Sequence, residues 1–288
     1  MSSIRRPAGP GLLVMAYSVV SYAIFLAVTV YSIFFFASRG VPRTIDTGPR
    51  AGWPAALAID LGLLSLFAVQ HTVMARAGFK RRWTRVVPAA AERSTFVLAT
   101  CAVLIALFAL WHPIGGRVWA LSGPAAWPLT AVYAAGWLLV VGSTFLISHA
   151  DLFGLRQAWS RLCGRSYQPP AFTERGLYRR VRHPLMAGFL VVFWAAPVMT
   201  VGHLLFAAAS TGYILTGIAF EEHDLRHQLG QAYRDYQARV PALVPWRLRG
   251  TVPVRRGSAP GPRWPGAARS GGTGRPRPAA GARPTRSR

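Results

Sequence analysis

Acidic side chains are scarce in this chain. Nine aspartates and glutamates stand against 33 lysines and arginines in 288 residues, and Lys80 is the sole lysine. Cysteine is nearly missing too: Cys101 lies in an apolar run and Cys163 in a polar loop, so neither a disulfide framework nor a cysteine metal motif can be built. The formal charge of +24 suits a nucleic-acid binder only if the arginines line a folded soluble face. Instead they sit between long apolar stretches, and no nucleic-acid partner is expected. With 52% hydrophobic residues, the pattern is that of a membrane protein with charged loops.

The apolar stretches set the fold class. Leu12–Ala37 is long enough to cross about 30 Å of hydrocarbon as a helix, and lacks the small-residue cleavage pattern of a signal peptide. Pro54–Ala75, which contains Asp60, Gln70 and His71, gives a second span, and the uncharged Ser94–Trp111 and Trp127–Ser148 give two more. Leu185–Phe220 is again uncharged, and Pro197 with the MTVGH stretch divides it into two short halves that should form a helical hairpin. The expected fold is an all-α polytopic membrane bundle of four spanning helices plus a C-terminal hairpin, five to six transmembrane segments in all. Three regions follow: a four-helix transmembrane region over 1–148; a loop, hairpin and C-terminal helix over 149–246; and, over 247–288, an Arg/Pro/Gly-rich tail with no acidic residue. That tail lacks the apolar clustering needed to offset its ordering entropy and is expected to be disordered.

Arginine placement gives orientation. The 76–93 and 149–184 loops are rich in arginine and the 112–126 loop has only Arg117, so the rich loops and both termini should be cytosolic. The basic run RRVRHPLMAG at 179–188 then faces the cytosol. Pro184 favours the first turn of a helix and disfavours helix at His183, which puts Arg182 and His183 at a helix N-terminus, a place that attracts a carboxylate. Glu221 and Glu222 stand where the hairpin exits. If the hairpin closes, one end of it presents both an anion-accepting and a cation-accepting side, which suits a zwitterionic amino-acid ligand. His223 and His227 have the i, i+4 spacing of metal ligands, but seven scattered histidines do not make the several boxes of a di-iron enzyme, and no metal is expected.

The runs GLYRRVRHPLMAGF and EEHDLRHQLGQAYRDYQARVPALVP resemble the C-terminal signature of the membrane methyltransferases related to isoprenylcysteine carboxyl methyltransferase. VPRTIDTGP, FAVQHTVMAR, FKRRWTRVVP, ERSTFVL and HADLFGLRQAW resemble a narrower branch, the methanethiol S-methyltransferases of bacterial membranes. Met186 departs from the pattern's tyrosine, Thr72 from a serine and Ser148 from an asparagine. The resemblance implies S-adenosyl-L-methionine as methyl donor, held by Tyr178, His183, Pro184, Leu185, Met186 and one of the paired glutamates, Glu222 ahead of Glu221, with Gln157 on the adenosyl part; Arg182 joins them from the charge pattern. It also implies a small thiol as substrate, in contact with a lipid environment at the cytosolic face of the bacterial inner membrane. The isoprenylcysteine enzymes carry an arginine one turn before the glutamate to hold a carboxylate. Thr216 to Ala219 offer none, as a neutral thiol would require. His149, His71 and Arg156 are the candidates to favour the thiolate. The alternatives are another thiol, a lipid or an isoprenylcysteine methylated by the same fold, or a non-catalytic membrane relative.

Overall fold

The computed structural model describes residues 9–170 and 174–245; the tail over 247–288 lies outside the described residues. Helices α1 (Gly9–Phe36), α2 (Trp53–Ala75), α4 (Glu92–Leu110), α5 (Trp127–Ile147) and α9 (Val201–Leu229) are each long and apolar enough to cross a membrane. Together they make a multi-pass helical bundle. Short helices α3 (Ala77–Trp83), α6 (His149–Leu152) and α7 (Leu155–Leu162) occupy the arginine-rich loops, and α8 (Pro184–Trp194) and α10 (Gln231–Arg239) flank α9. The outward faces stay apolar, as lipid demands: Leu66, Val69, Leu138 and Phe145 are all exposed.

The hairpin is unequal rather than made of two short halves. At 1.5 Å per residue, α8 is about 16 Å long, half a bilayer. The next six residues leave the helix and end in a three-residue strand, adding up to about 20 Å. The following helix, α9, runs for 29 residues and carries Glu221 and Glu222 within it. The extended backbone could not be left bare in lipid. It is paired instead: strand β2 (Val198–Thr200) lies antiparallel to β1 (Arg117–Ala120), with Ala120 opposite Val198 and Arg117 opposite Thr200. Leu121 N–H donates to Pro197 C=O at 2.9 Å and Trp119 Nε1 to Ala196 C=O at 2.9 Å. Buried His203 reaches Phe193 C=O at 3.1 Å, one of the carbonyls that α8 leaves free at its end.

The 41–49 loop closes this same side. Thr200 donates to Asp46 Oδ1 at 2.6 Å, Ser38 donates to Asp46 Oδ2, and the Trp111 indole donates to Ile45 C=O at 3.0 Å. Thr200 also caps α9 by accepting from His203 N–H. The core above it is aromatic: Phe36 packs on Phe193 and Phe206, with ring centroids 5.2 and 4.8 Å apart.

Glycine lets α8 lie directly on α5. A Cβ at Gly188 would come within 2.8 Å of Val140 Cγ2 and 2.9 Å of Val140 N, and one at Gly136 within 2.9 Å of Val191. Small residues that let backbones approach are the usual adhesive of helices in lipid. Gly230 has φ +59 and ψ −129, a conformation open to glycine, and it turns the chain sharply from α9 into α10. Its neighbour α10 folds back, burying Tyr233 and Tyr236 with Leu225 and Val240 in a second small core. The first and second sequence regions share packing, since Ala158 of α7 is buried with Val14 of α1 and Ala91.

Candidate functional site

The two ends of the hairpin do meet. His183 sits at the N-cap of α8 with Pro184 in its first turn. Its Nε2 is 3.0 Å from Glu222 Oε1 and its Nδ1 3.6 Å from Glu221 Oε2. Arg182 joins the same carboxylate, with Nη2 at 2.6 Å and Nε at 2.7 Å from Glu222 Oε1. Gln237 of α10 donates to Glu222 Oε2 at 2.8 Å. Both oxygens of Glu222 are therefore engaged, and its side chain and that of Arg182 are 12% and 11% exposed.

Arg182 ties this pair to the chain that follows α10. Its Nη1 donates to Gln237 C=O at 3.2 Å and to Val240 C=O, and its backbone N–H to Pro241 C=O at 2.9 Å. His183 N–H donates to Ala242 C=O at 3.0 Å. Tyr236 Oη donates to Tyr178 C=O at 2.6 Å. The basic and acidic residues are thus in direct contact, forming a clasp over α8, α9 and α10. Glu221 keeps spare capacity, with its side chain 39% exposed and one long approach to His183. The Tyr178 phenol is pushed above its ordinary range by burial, then by the nearby Glu221 charge, and stays a neutral donor.

A second cluster forms where α5 gives way to α6. His149 Nε2 is 2.7 Å from Tyr22 Oη, and its Nδ1 is 2.8 Å from Thr144 Oγ1. Its ring stacks on Phe145 at 4.3 Å and meets Phe153 edge-on at 4.8 Å. Burial in this aromatic setting lowers the pKa of His149. Nearby, Arg156 Nη1 pairs with Asp151 Oδ2 at 3.0 Å, and Ser148 donates to the same oxygen. Gln157 Nε2 donates to Asp151 C=O at 3.1 Å and to Tyr167 Oη at 3.3 Å, while its Oε1 is buried with no hydrogen-bond partner among the described residues.

His71 stands apart from both groups. Its ring lies between Phe67 and Phe96, at 5.3 and 4.9 Å, and its Nδ1 is buried with no hydrogen-bond partner among the described residues. No group of three metal-binding side chains occurs among the described residues.

Sequence comparison gives this geometry its context. The chain is 48% identical over 234 residues to Methanethiol S-methyltransferase 2 of Bradyrhizobium diazoefficiens, covering 81% of this chain and 90% of that protein. Against Methanethiol S-methyltransferase of Mycobacterium tuberculosis it is 47% identical over 240 residues, covering 83% and 98%. The chain belongs to the methanethiol S-methyltransferase family. A more distant relative is Nurim of Homo sapiens, 30% identical over 247 residues, covering 78% of this chain and 94% of that one. No family model and no solved structure matches the chain.

In this member of the methanethiol S-methyltransferase family, the sequence-predicted residues fall into three places. Arg182, His183, Pro184, Glu221 and Glu222 come together at the clasp, with Tyr178 beside it. Leu185 and Met186 follow in the first turn of α8. His149, Arg156 and Gln157 belong to the α5–α7 junction, and His71 to the α2–α4 interface. Two of the family departures are accommodated by hydrogen bonds: Thr72 Oγ1 is 3.3 Å from Tyr213 Oη, and Ser148 bonds Asp151. Tyr22 and Gln237 were not foreseen. Tyr22 is one of three tyrosines in an apolar run, with Tyr17 and Tyr31, and a phenol hydroxyl that must find a partner was its one signal.

Proposed function

We propose that this protein methylates methanethiol to dimethyl sulfide, using S-adenosylmethionine, at the cytosolic face of a bacterial cytoplasmic membrane. The observation that carries the proposal is the 47–48% identity to proteins of that name over nine-tenths or more of their length. Two features fit the donor. Glu221 is a carboxylate with unused acceptor capacity beside the neutral Tyr178 phenol, suited to the donor's ammonium group. Gln157 Oε1 is a buried acceptor still lacking a partner, suited to an N–H or O–H of the adenosyl part. Glu222, fully engaged by Arg182, His183 and Gln237, fixes the frame that carries Glu221. Arg182 and His183 reach the ligand through that frame.

When bound, the sulfonium donor supplies an electrophilic methyl group. The thiol sulfur takes that methyl, the methyl–sulfonium bond breaks with S-adenosylhomocysteine as leaving group, and the thiol proton must go to the protein. His149 accepts it. With Nδ1–H donating to Thr144, Nε2 is left to accept from Tyr22 Oη, so a thiol proton taken up by the phenol passes on to the ring. Burial keeps the imidazole neutral at cytosolic pH and therefore able to accept. Arg156 is engaged by Asp151 and braces the junction, while His71, packed between Phe67 and Phe96, lies outside this proton path.

The test is headspace chromatography of membranes given methanethiol and S-adenosylmethionine. Dimethyl sulfide is expected, with His149→Ala lowering kcat by about 10²–10⁴-fold, the span of general base catalysis. Methylated lipid without volatile sulfide would reject the substrate, and an unimpaired His149→Ala would reject the base.

A further inference from the structure

Beyond the clasp and the α5–α7 junction, a groove of about 470 Å³ opens at the junction of α2 and α3, lined by Val73, Phe79, Arg76, Arg81, Arg82 and Arg85. That volume falls in the ~300–1,000 Å³ range of small-molecule sites. Its chemistry is cationic and lopsided. Arg76 is held at the edge by Asp224 at 3.2 Å and by the Phe220 ring, 4.9 Å from its centroid. Lys80 turns away to Glu92 at 3.9 Å. Arg81, Arg82 and Arg85 are exposed, and none of the three has a carboxylate within ion-pair distance among the described residues.

The floor of the groove leads into the membrane. Ile59, Leu66, Val69 and Val73 of α2 are exposed and recur at helical spacing, so they form one apolar stripe that ends at Val73, inside the groove. Phe79 and Trp83 stack at 5.7 Å on α3, giving the rim an aromatic side chain pair of the kind that settles at a bilayer interface. A ligand that matches both parts has an anionic head and apolar chains.

We propose that this groove binds the phosphodiester head group of an anionic phospholipid, with Arg81, Arg82 and Arg85 on the phosphate and the acyl chains along the Ile59–Val73 stripe. Arginine's planar fork suits phosphate oxygens in pairs. The stripe is what selects a lipid over a soluble anion, which could use the arginines but not the apolar face. The site is independent of the methyl-transfer chemistry, since none of these side chains belongs to the clasp or to the His149 cluster.

The full-length protein in neutral detergent is titrated with dioleoyl phosphatidylglycerol, dioleoyl phosphatidylcholine and inorganic phosphate, and adducts are counted by native mass spectrometry. A one-to-one phosphatidylglycerol adduct is expected to form at least about tenfold more tightly than a phosphatidylcholine one. Arg81→Gln/Arg82→Gln/Arg85→Gln should weaken it on the order of a hundredfold, from roughly one basic-residue increment each. The exposed pair Arg161→Gln/Arg165→Gln, elsewhere in the basic loops, should leave it unchanged. The three replaced arginines are surface residues, and an unaltered melting temperature of the triple variant confirms its fold. Equal binding of the two lipids, competition by inorganic phosphate at the lipid's own concentration, or equal weakening by the distant pair would each overturn the proposal.

Discussion

Glu222→Ala separates a structural carboxylate from a ligand-binding one. The substitution strips the carboxylate counter-charge from Arg182, which is 11% exposed and keeps the Gln237 and Val240 carbonyls and the Tyr233 phenol, and it frees His183 Nε2 and Gln237 Nε2 together. Removing one partner of a largely buried ion pair costs about 3–5 kcal/mol, chiefly because the remaining charge is left uncompensated. The surviving contacts to two carbonyls and a phenol place this case near the lower end, at about 3 kcal/mol. Much of that loss should be local, because the clasp joins α10 and residues 240–242 to the membrane helices. The assay is a thermal melt in detergent together with limited proteolysis after Arg239. Glu222→Ala should melt markedly lower and be clipped faster. Glu221→Gln should melt like the parent yet bind S-adenosylmethionine at least tenfold more weakly. Replacing the pair together, Arg182→Met/Glu222→Leu, should recover most of the lost stability, as apolar replacements of buried pairs do. An unchanged melt for Glu222→Ala with abolished ligand binding would refute the division of labour between the two glutamates.

Gly188→Val should lower the melting temperature through overpacking worth about 1–3 kcal/mol, since its Cβ would meet Val140 at 2.8 Å; an unchanged melt would show that α5 and α8 are free to separate. Asp46→Ala should cost about 1–3 kcal/mol by orphaning the hydroxyls of Thr200 and Ser38, and deuterium exchange at Val198–Thr200 should rise with it. The lowered pKa of His149 means that the folded protein resists protonating it. Its contribution is fully present above the unfolded value near 6.5 and is lost as pH falls below that value. The melting-temperature advantage of the parent over His149→Gln should therefore be flat above neutrality and shrink on acidification; an advantage that grows with acid would contradict the burial.

The spans were legible because twenty uncharged residues admit few other structures in water or lipid, and the meeting of Arg182 and His183 with Glu221 and Glu222 followed from one hairpin. The unequal shape of that hairpin did not. Pro197 signals a break but not where the next helix begins, and β1 and β2 are three or four residues each, too short for an alternating pattern to register. Their pairing joins residues about 80 positions apart and depends on where α5 and α8 come to rest. Nor could the sequence say that Glu222 would be used up by Arg182. Oppositely charged rims suggest a slot between them, and only the reach of Gln237 from α10, turned back at Gly230, reveals that they close on each other. Tyr22 lies 127 residues from His149, and no local spacing connects the two.

On one side of the bundle the 41–49 loop, the β-ribbon and the His203 and Asp46 bonds interlock, so that side is stitched shut. Ions and water-soluble reagents would then approach the clasp from the opposite, arginine-rich side. A small gas-like molecule that dissolves in hydrocarbon would have a second route, sideways between the helices, so the membrane itself could serve as the reservoir from which it is drawn.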